Sequence, residues 1–204
     1  GRLINKVTLK NDSFINGDLH FARLQDPEVI LDTVIEAVTK ITDGSDVSAI
    51  GVTGQMHGIL YLDENNAPAS PLFTWQDLRG NEKFEGGMTY AEYLTENTGH
   101  KAATGYGLTT HFYNLKNKLV PKRARKISTI HDYIVSHLTD SVPVTHSSDA
   151  ASLGFYDLRH HQFDNVALLE TGIDPEFLPK VVKNTRIAGT TKCEFLPDGI
   201  PVAV

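Results

Sequence analysis

The sequence is short of several things, and each shortage excludes a class of protein. Its 204 residues hold one cysteine, Cys193, so no internal disulfide can form, which suits a reducing cytoplasm. Positive charge is in deficit. The 19 Lys and Arg against 25 Asp and Glu leave a net charge of −6, which argues against nucleic acid or an anionic membrane as the main partner. No apolar run reaches the length that spans a bilayer, and the first twenty residues lack a signal-peptide pattern. Histidines number 9, yet none stands in HxxxH or HxH spacing with carboxylate support, so a zinc site is not expected. Neither a Walker-type phosphate loop nor a GxGxxG fingerprint occurs, and there is no internal repeat or low-complexity tract.

What is there is ordinary for a globular chain: 40% hydrophobic and 22% charged residues in a length that fits one large domain. Asp26-Pro27-Glu28 reads as a helix start, with Asp as cap, Pro in the first position and Glu in the first turn. Leu31, Val34, Ile35, Val38 and Ile41 continue one apolar face at helical period. Strands are expected around Val7, Leu9, Leu19 and Phe21, then over Val47 to Val52 and Ile59 to Leu62, closed by the turn residues Asp63 to Asn66. Helices follow over Tyr90 to Asn97, Thr109 to Leu119, Ile130 to Leu138 and Val166 to Thr171. This order implies an α/β fold with a mixed sheet and helices packed on it.

Chemistry concentrates in two clusters. Gly54-Gln55-Met56-His57-Gly58 follows the apolar Val47 to Val52 run, and Thr74-Trp75-Gln76-Asp77-Leu78-Arg79 comes about twenty residues later. The glycines allow a sharp or close-packed backbone, so Gln55 and His57 can be presented at a strand end. Gln and His donate and accept hydrogen bonds, Asp accepts, and Trp offers a flat face to the C–H side of a polyol. Such a kit suits a hydroxyl-rich ligand. Each residue also has a plainer reading. His57 by default is a packed residue with a satisfied hydrogen bond, Trp75 a core anchor, and Met56 a core filler. Asp77 and Arg79 by default are an ion pair of small consequence. The basic run Lys122 to Lys126 lacks aromatic interleaving and is assigned no chemistry.

The GQMHG stretch with the downstream TWQDLRG resembles the amino-terminal domain of the FGGY carbohydrate kinases. Further segments are similar to the sedoheptulokinase branch of that family: Ala103 to Gly107, Thr129 to Tyr133, Ser148 to Ser152, Leu178-Pro179 and Ala188-Gly189. The resemblance implies a ribonuclease-H-like domain of the actin and hexokinase type, with the helices of 80–150 as an insertion. It implies that Gln55, Met56, His57, Trp75 and Asp77 contact substrate, that Arg79 orients Asp77, and that Asp149 supports the pocket from behind. Gln55, His57 and Trp75 are expected to converge on one wet cavity.

The same resemblance implies a whole protein that moves the γ-phosphoryl of ATP, with Mg²⁺, to a terminal hydroxyl of a ketose, sedoheptulose first and xylulose or another pentulose second. In the family a Gly-x-Asp-x-Gly-Thr phosphate hairpin would lie before Gly1. The catalytic Asp and the carboxyl-terminal nucleotide-binding domain would lie after Val204. On that expectation residues 1–204 are the sugar-binding domain, hold no catalytic residue, cofactor site or metal site of their own, and do not turn over alone. The expected partner is a small sugar in the cytoplasm, with room for a homodimer. A stand-alone sugar-binding or regulatory module without transferase chemistry is the alternative.

Overall fold

A strand at Leu60–Leu62 divides the interior in two. The computed structural model describes residues 1–182 and 187–204. Alternate side chains of a strand point to opposite faces. Accordingly Ile59 and Tyr61 join one core with Leu94, Leu108, Phe112 and Leu153, while Leu60 and Leu62 join another with Leu72, Ile130, Leu138 and Val202. This strand pairs antiparallel with Lys126–Ser128, and Ile59 bridges to Phe73.

Six α-helices occur among the described residues, and most are set by their caps. The first, α1, spans Pro27–Thr42 because the Asp26 carboxylate accepts from the amides of Glu28 and Val29. Its Leu31, Val34 and Val38 pack on the second core, while Ile41 stays 36% exposed. Helix α2, Tyr90–Thr98, begins in a reciprocal Thr89–Glu92 capping box and ends at Gly99 in the left-handed region. Next come α3, Gly107–Lys116, and α4, Ile130–Thr139, the latter capped by Thr129. Helix α5, Ser147–Leu153, is capped by the His146 ring, and α6, Asn165–Thr171, runs from the Asp164 cap to Gly172.

The sheet expected as mixed is mixed, but it is broken into short ladders. Phe14–Ile15, Leu24–Gln25 and Leu72–Phe73 form an antiparallel trio. Ile187–Thr190 pairs antiparallel with Pro201–Ala203, which pairs parallel with Ile50–Gly51. Val144–His146 runs parallel to Lys180–Val182, and Tyr156–Asp157 forms a hairpin with Gln162–Phe163. Three strand expectations are corrected. The Val7 and Leu9 region has no regular structure, and Leu19 to Phe21 lie in a turn between the first two strands. The Val47 to Val52 strand is reduced to Ile50–Gly51, at the edge of its sheet among the described residues. No helix of the described residues is long and apolar enough to cross a membrane.

Candidate functional site

His57 occupies a backbone conformation that only a special context tolerates. Its φ is +70°, and the Gly58 amide donates to the Met56 carbonyl at 2.9 Å, closing a three-residue turn around it. The strain is held from below by α5. The His57 amide donates to Ser152 Oγ at 3.2 Å, and Nδ1 lies 2.6 Å from the Ser152 carbonyl. A carbonyl oxygen can only accept, so Nδ1 carries the proton, and in the neutral ring Nε2 is left as an acceptor. The ring stacks on Tyr106 with centroids 4.6 Å apart and planes 4° from parallel.

Three backbone segments meet here because glycines let them. A Cβ at Gly58 would fall 2.9 Å from the Phe73 carbonyl oxygen, and one at Gly107 would fall 3.0 Å from that of His57. Gln55 sits beside this contact. Its amide nitrogen donates to Gln25 Oε1 at 2.7 Å, and Gln25 in turn donates to Ser13 Oγ at 3.0 Å. The Gln55 oxygen lies toward Gly58, 3.5 Å from where a Cβ at that glycine would sit. Met56 and Trp75 are 47% and 54% exposed, so neither is the core residue of its default reading. Gln55 and His57 are half-buried. The 660 Å³ groove between α1 and α4, lined by Glu28, Asp32, Tyr133 and His137, lies elsewhere.

Asp77 departs most from expectation. It is 0% exposed, and its carboxylate accepts from Arg79 Nε at 2.7 Å, Arg79 Nη2 at 3.0 Å and the Arg23 amide at 3.1 Å. Every direction toward a ligand is taken, so the direct hydroxyl contact expected of Asp77 gives way to an internal brace. Arg79 pairs with Asp77 from within the core. Its guanidinium bonds Asn114 and lies 4.3 Å from the Phe73 ring centroid.

The brace continues as a buried polar chain. Asn114 donates to the Tyr61 hydroxyl at 3.1 Å, which lies 2.9 Å from His111 Nδ1. Burial pushes the Tyr61 hydroxyl pKa up and the His111 pKa down to about 4. His111 is therefore neutral in the fold and resists protonation, whereas the unfolded chain binds a proton near pH 6.5. Its contribution is present at neutral pH and is lost as pH falls through that window, by about 2 kcal/mol between pH 7 and pH 5. Denaturant titration of the chain and of His111→Gln at both pH values checks this: the stability gap between them should shrink by about that amount in acid.

Asp149 lies on α5 and contacts His131, with Asp149 Oδ1 to His131 Nε2 at 3.4 Å. The basic run lies along the surface against the Asp63–Pro68 turn: Arg123 Nη2 donates to the Pro68 carbonyl at 2.5 Å and Lys126 Nζ to Asn66 Oδ1 at 3.1 Å. Sequence reasoning missed Tyr106, Ser152 and Gln25. An aromatic between two glycines, Gly105-Tyr106-Gly107, repeats the pattern that marks His57 and was the available signal. Nothing local marks Ser152 or Gln25.

Comparison with known proteins now places the chain. The profile of the FGGY family of carbohydrate kinases, N-terminal domain, matches residues 1–203. The chain is 29% identical over 178 residues to a xylulose kinase of Streptomyces rubiginosus, covering 83% of this chain and 36% of that protein. It is 30% identical over 177 residues to a sedoheptulokinase of Mus musculus, covering 78% and 36%. It thus spans about a third of the length of these curated relatives. The solved Plasmodium falciparum glycerol kinase with ADP superposes with a TM-score of 0.79 at 19% identity, over 96% of this chain and 42% of that chain. That likeness carries the fold expected above, the α/β type shared with actin and hexokinase. The chain belongs to the FGGY family of carbohydrate kinases, as an N-terminal domain.

Proposed function

We propose that this chain is the sugar-binding half of an ATP-dependent kinase that phosphorylates a terminal hydroxyl of a ketose, sedoheptulose by first choice and xylulose or another pentulose by second. The observation that carries the reading is His57. A strained backbone, a ring fixed by stacking on Tyr106 and a tautomer fixed by Ser152 leave one acceptor nitrogen on a half-buried ring. Such strain persists where the surroundings over-determine it, and preorganised acceptors suit hydroxyl recognition. Gln55 supplies a second acceptor, and Met56 and Trp75 supply exposed apolar surface for the C–H side of a sugar.

The work of these residues is to bind and to orient. ATP and Mg²⁺ supply the phosphoryl group and its charge neutralisation when bound. Among the described residues no three His, Cys, Asp or Glu side chains are arranged to hold a metal ion. We assign catalysis to the rest of the parent protein, in the cytoplasm, with this domain closing on the nucleotide half to exclude water. Trp75 is the only tryptophan, so its fluorescence reports ligand at this site. Titration with sedoheptulose and xylulose should change its emission saturably. His57→Ala should weaken binding about tenfold, the loss of one good hydrogen bond and its fixed geometry. Ketoses that leave the emission unmoved, or a His57→Ala variant of unchanged affinity, would remove this reading.

A further inference from the structure

Beneath the Gly54–His57 turn lies a group of buried polar side chains that the contacts above do not use. His131 and Asp132, in the first turn of α4, are 3% and 0% exposed. Among the described residues, both ring nitrogens of His131, both carboxylate oxygens of Asp132 and the Thr145 hydroxyl have no well-aligned hydrogen bond, although the Thr129 and Thr145 hydroxyls lie near the Asp132 carboxylate. Instead His131 Nε2 faces two carboxylates, Asp149 Oδ1 at 3.4 Å and Asp132 Oδ1 at 3.8 Å, which are ion contacts longer than aligned hydrogen bonds. The other edge of the ring lies against Gly54, where a Cβ would fall 2.9 Å from His131 Nδ1. Buried polar atoms left without partners cost stability, so an arrangement that keeps several of them calls for a physical reason.

The reason lies in what the ring connects. Asp149 belongs to α5, and its backbone carbonyl accepts from Ser152 Oγ at 2.8 Å. Ser152 is the residue that holds both the amide and Nδ1 of His57. His131 therefore touches the turn at one end through Gly54 and at the other through Asp149, α5 and Ser152. We propose that His131 is a positioning residue whose ion pair with Asp149 locks α4 to α5 and seats Gly54, setting the pose in which Gln55 and His57 meet a ligand. The inference rests on reading that turn as the sugar-contacting element.

The charges around the ring support an imidazolium. Burial pulls the His131 pKa down, but the Asp149 contact and the charges of Asp132 and Asp149 outweigh it and leave the pKa raised. Asp149 is held low, chiefly by His131, with Ser148 and His146 adding to it, while burial pushes Asp132 up. A raised folded pKa means the brace is present in acid and is lost as pH rises through that value. Affinity at the turn should therefore weaken in the alkaline direction.

Nitrogen-15 spectra of the chain, followed from about pH 6 to about pH 9, read this without any ligand. The amides of Gly54 and His57 should show a step at the midpoint of the His131 ring. That step should vanish in His131→Gln and shift to lower pH in Asp149→Asn, while steps that track other histidine rings remain. Xylulose affinity, read by Trp75 emission, should weaken about fivefold across the same step in the native chain and stay flat in His131→Gln. Amides that ignore His131, or a step that survives in His131→Gln, would overturn the proposal. Should His131→Gln not fold, the unshifted step in Asp149→Asn overturns it equally. A chain that binds no ketose but keeps the coupled step removes the sugar reading and leaves the brace standing.

Discussion

Replacing Asp77 by alanine should destabilise the chain by about 3–5 kcal/mol, more than removing most core methyl groups. The side chains of Arg79 and Asp77 are 4% and 0% exposed. Without the carboxylate, a guanidinium would sit charged among Phe21, Phe73 and Tyr113, its remaining partner the Asn114 amide oxygen. Taking a charge out of water costs several kcal/mol, and only a close counter-charge offsets it. The pairing is what is strong, so the double variant Asp77→Ala/Arg79→Met should lose less than the sum of the two single losses, by about 2 kcal/mol or more. Denaturant midpoints at constant slope measure all three variants. A loss under about 1 kcal/mol in Asp77→Ala would mean that the carboxylate is not committed inward and could still reach a sugar.

This inward commitment also supports the candidate site. The Arg23 amide is held by Asp77, and the Arg23 carbonyl accepts from both the Thr74 amide and the Thr74 hydroxyl. Trp75 follows Thr74 directly, so its exposed indole stands on a segment fastened at both ends to buried polar groups. A side chain that touches no ligand can in this way decide where a platform residue stands.

What was legible in the sequence was local. Asp26-Pro27-Glu28 announced α1, and the structure places its cap bonds there. Thr89 and Glu92 close a capping box that their spacing already encodes, and Gly99 and Gly172 end helices in the left-handed region. Two kinds of information were out of reach. Strand length depends on partners: Val47 to Val52 is largely apolar, yet the ladder with Val202–Ala203 covers Ile50–Gly51, with one further bond from the Val52 amide to the Ala203 carbonyl. Side-chain commitment depends on the tertiary fold. The Asp77–Arg79 pair was legible from its spacing, but its burial was not, because the Arg23 amide and Asn114 that complete it lie 54 residues from Asp77 and 35 from Arg79 in the chain. Helix α5 escaped notice for a local reason, since Ser147–Leu153 is too short and too rich in small residues to show an apolar period.

Gly105→Ala should cost at least about 3 kcal/mol, and Gly172→Ala separates its causes. Both glycines have φ of +82°, so both variants force an alanine into the left-handed region. That alone costs roughly 1–2 kcal/mol. At Gly172 nothing lies within 4 Å of the added Cβ, and the conformational term should be the whole effect. At Gly105 the Cβ would fall 2.0 Å from the Trp75 carbonyl oxygen and 2.9 Å from its carbonyl carbon. Backbone on backbone cannot be relieved by a rotamer change, so one segment must move. Either the Trp75 segment shifts or Tyr106 leaves the His57 ring. In both cases the candidate site changes shape, and ketose affinity should fall along with stability. Trp75 emission should shift in Gly105→Ala and stay native in Gly172→Ala. Equal losses in the two variants, with unchanged emission in both, would show that the close approach of residues 75 and 105 does not shape the site.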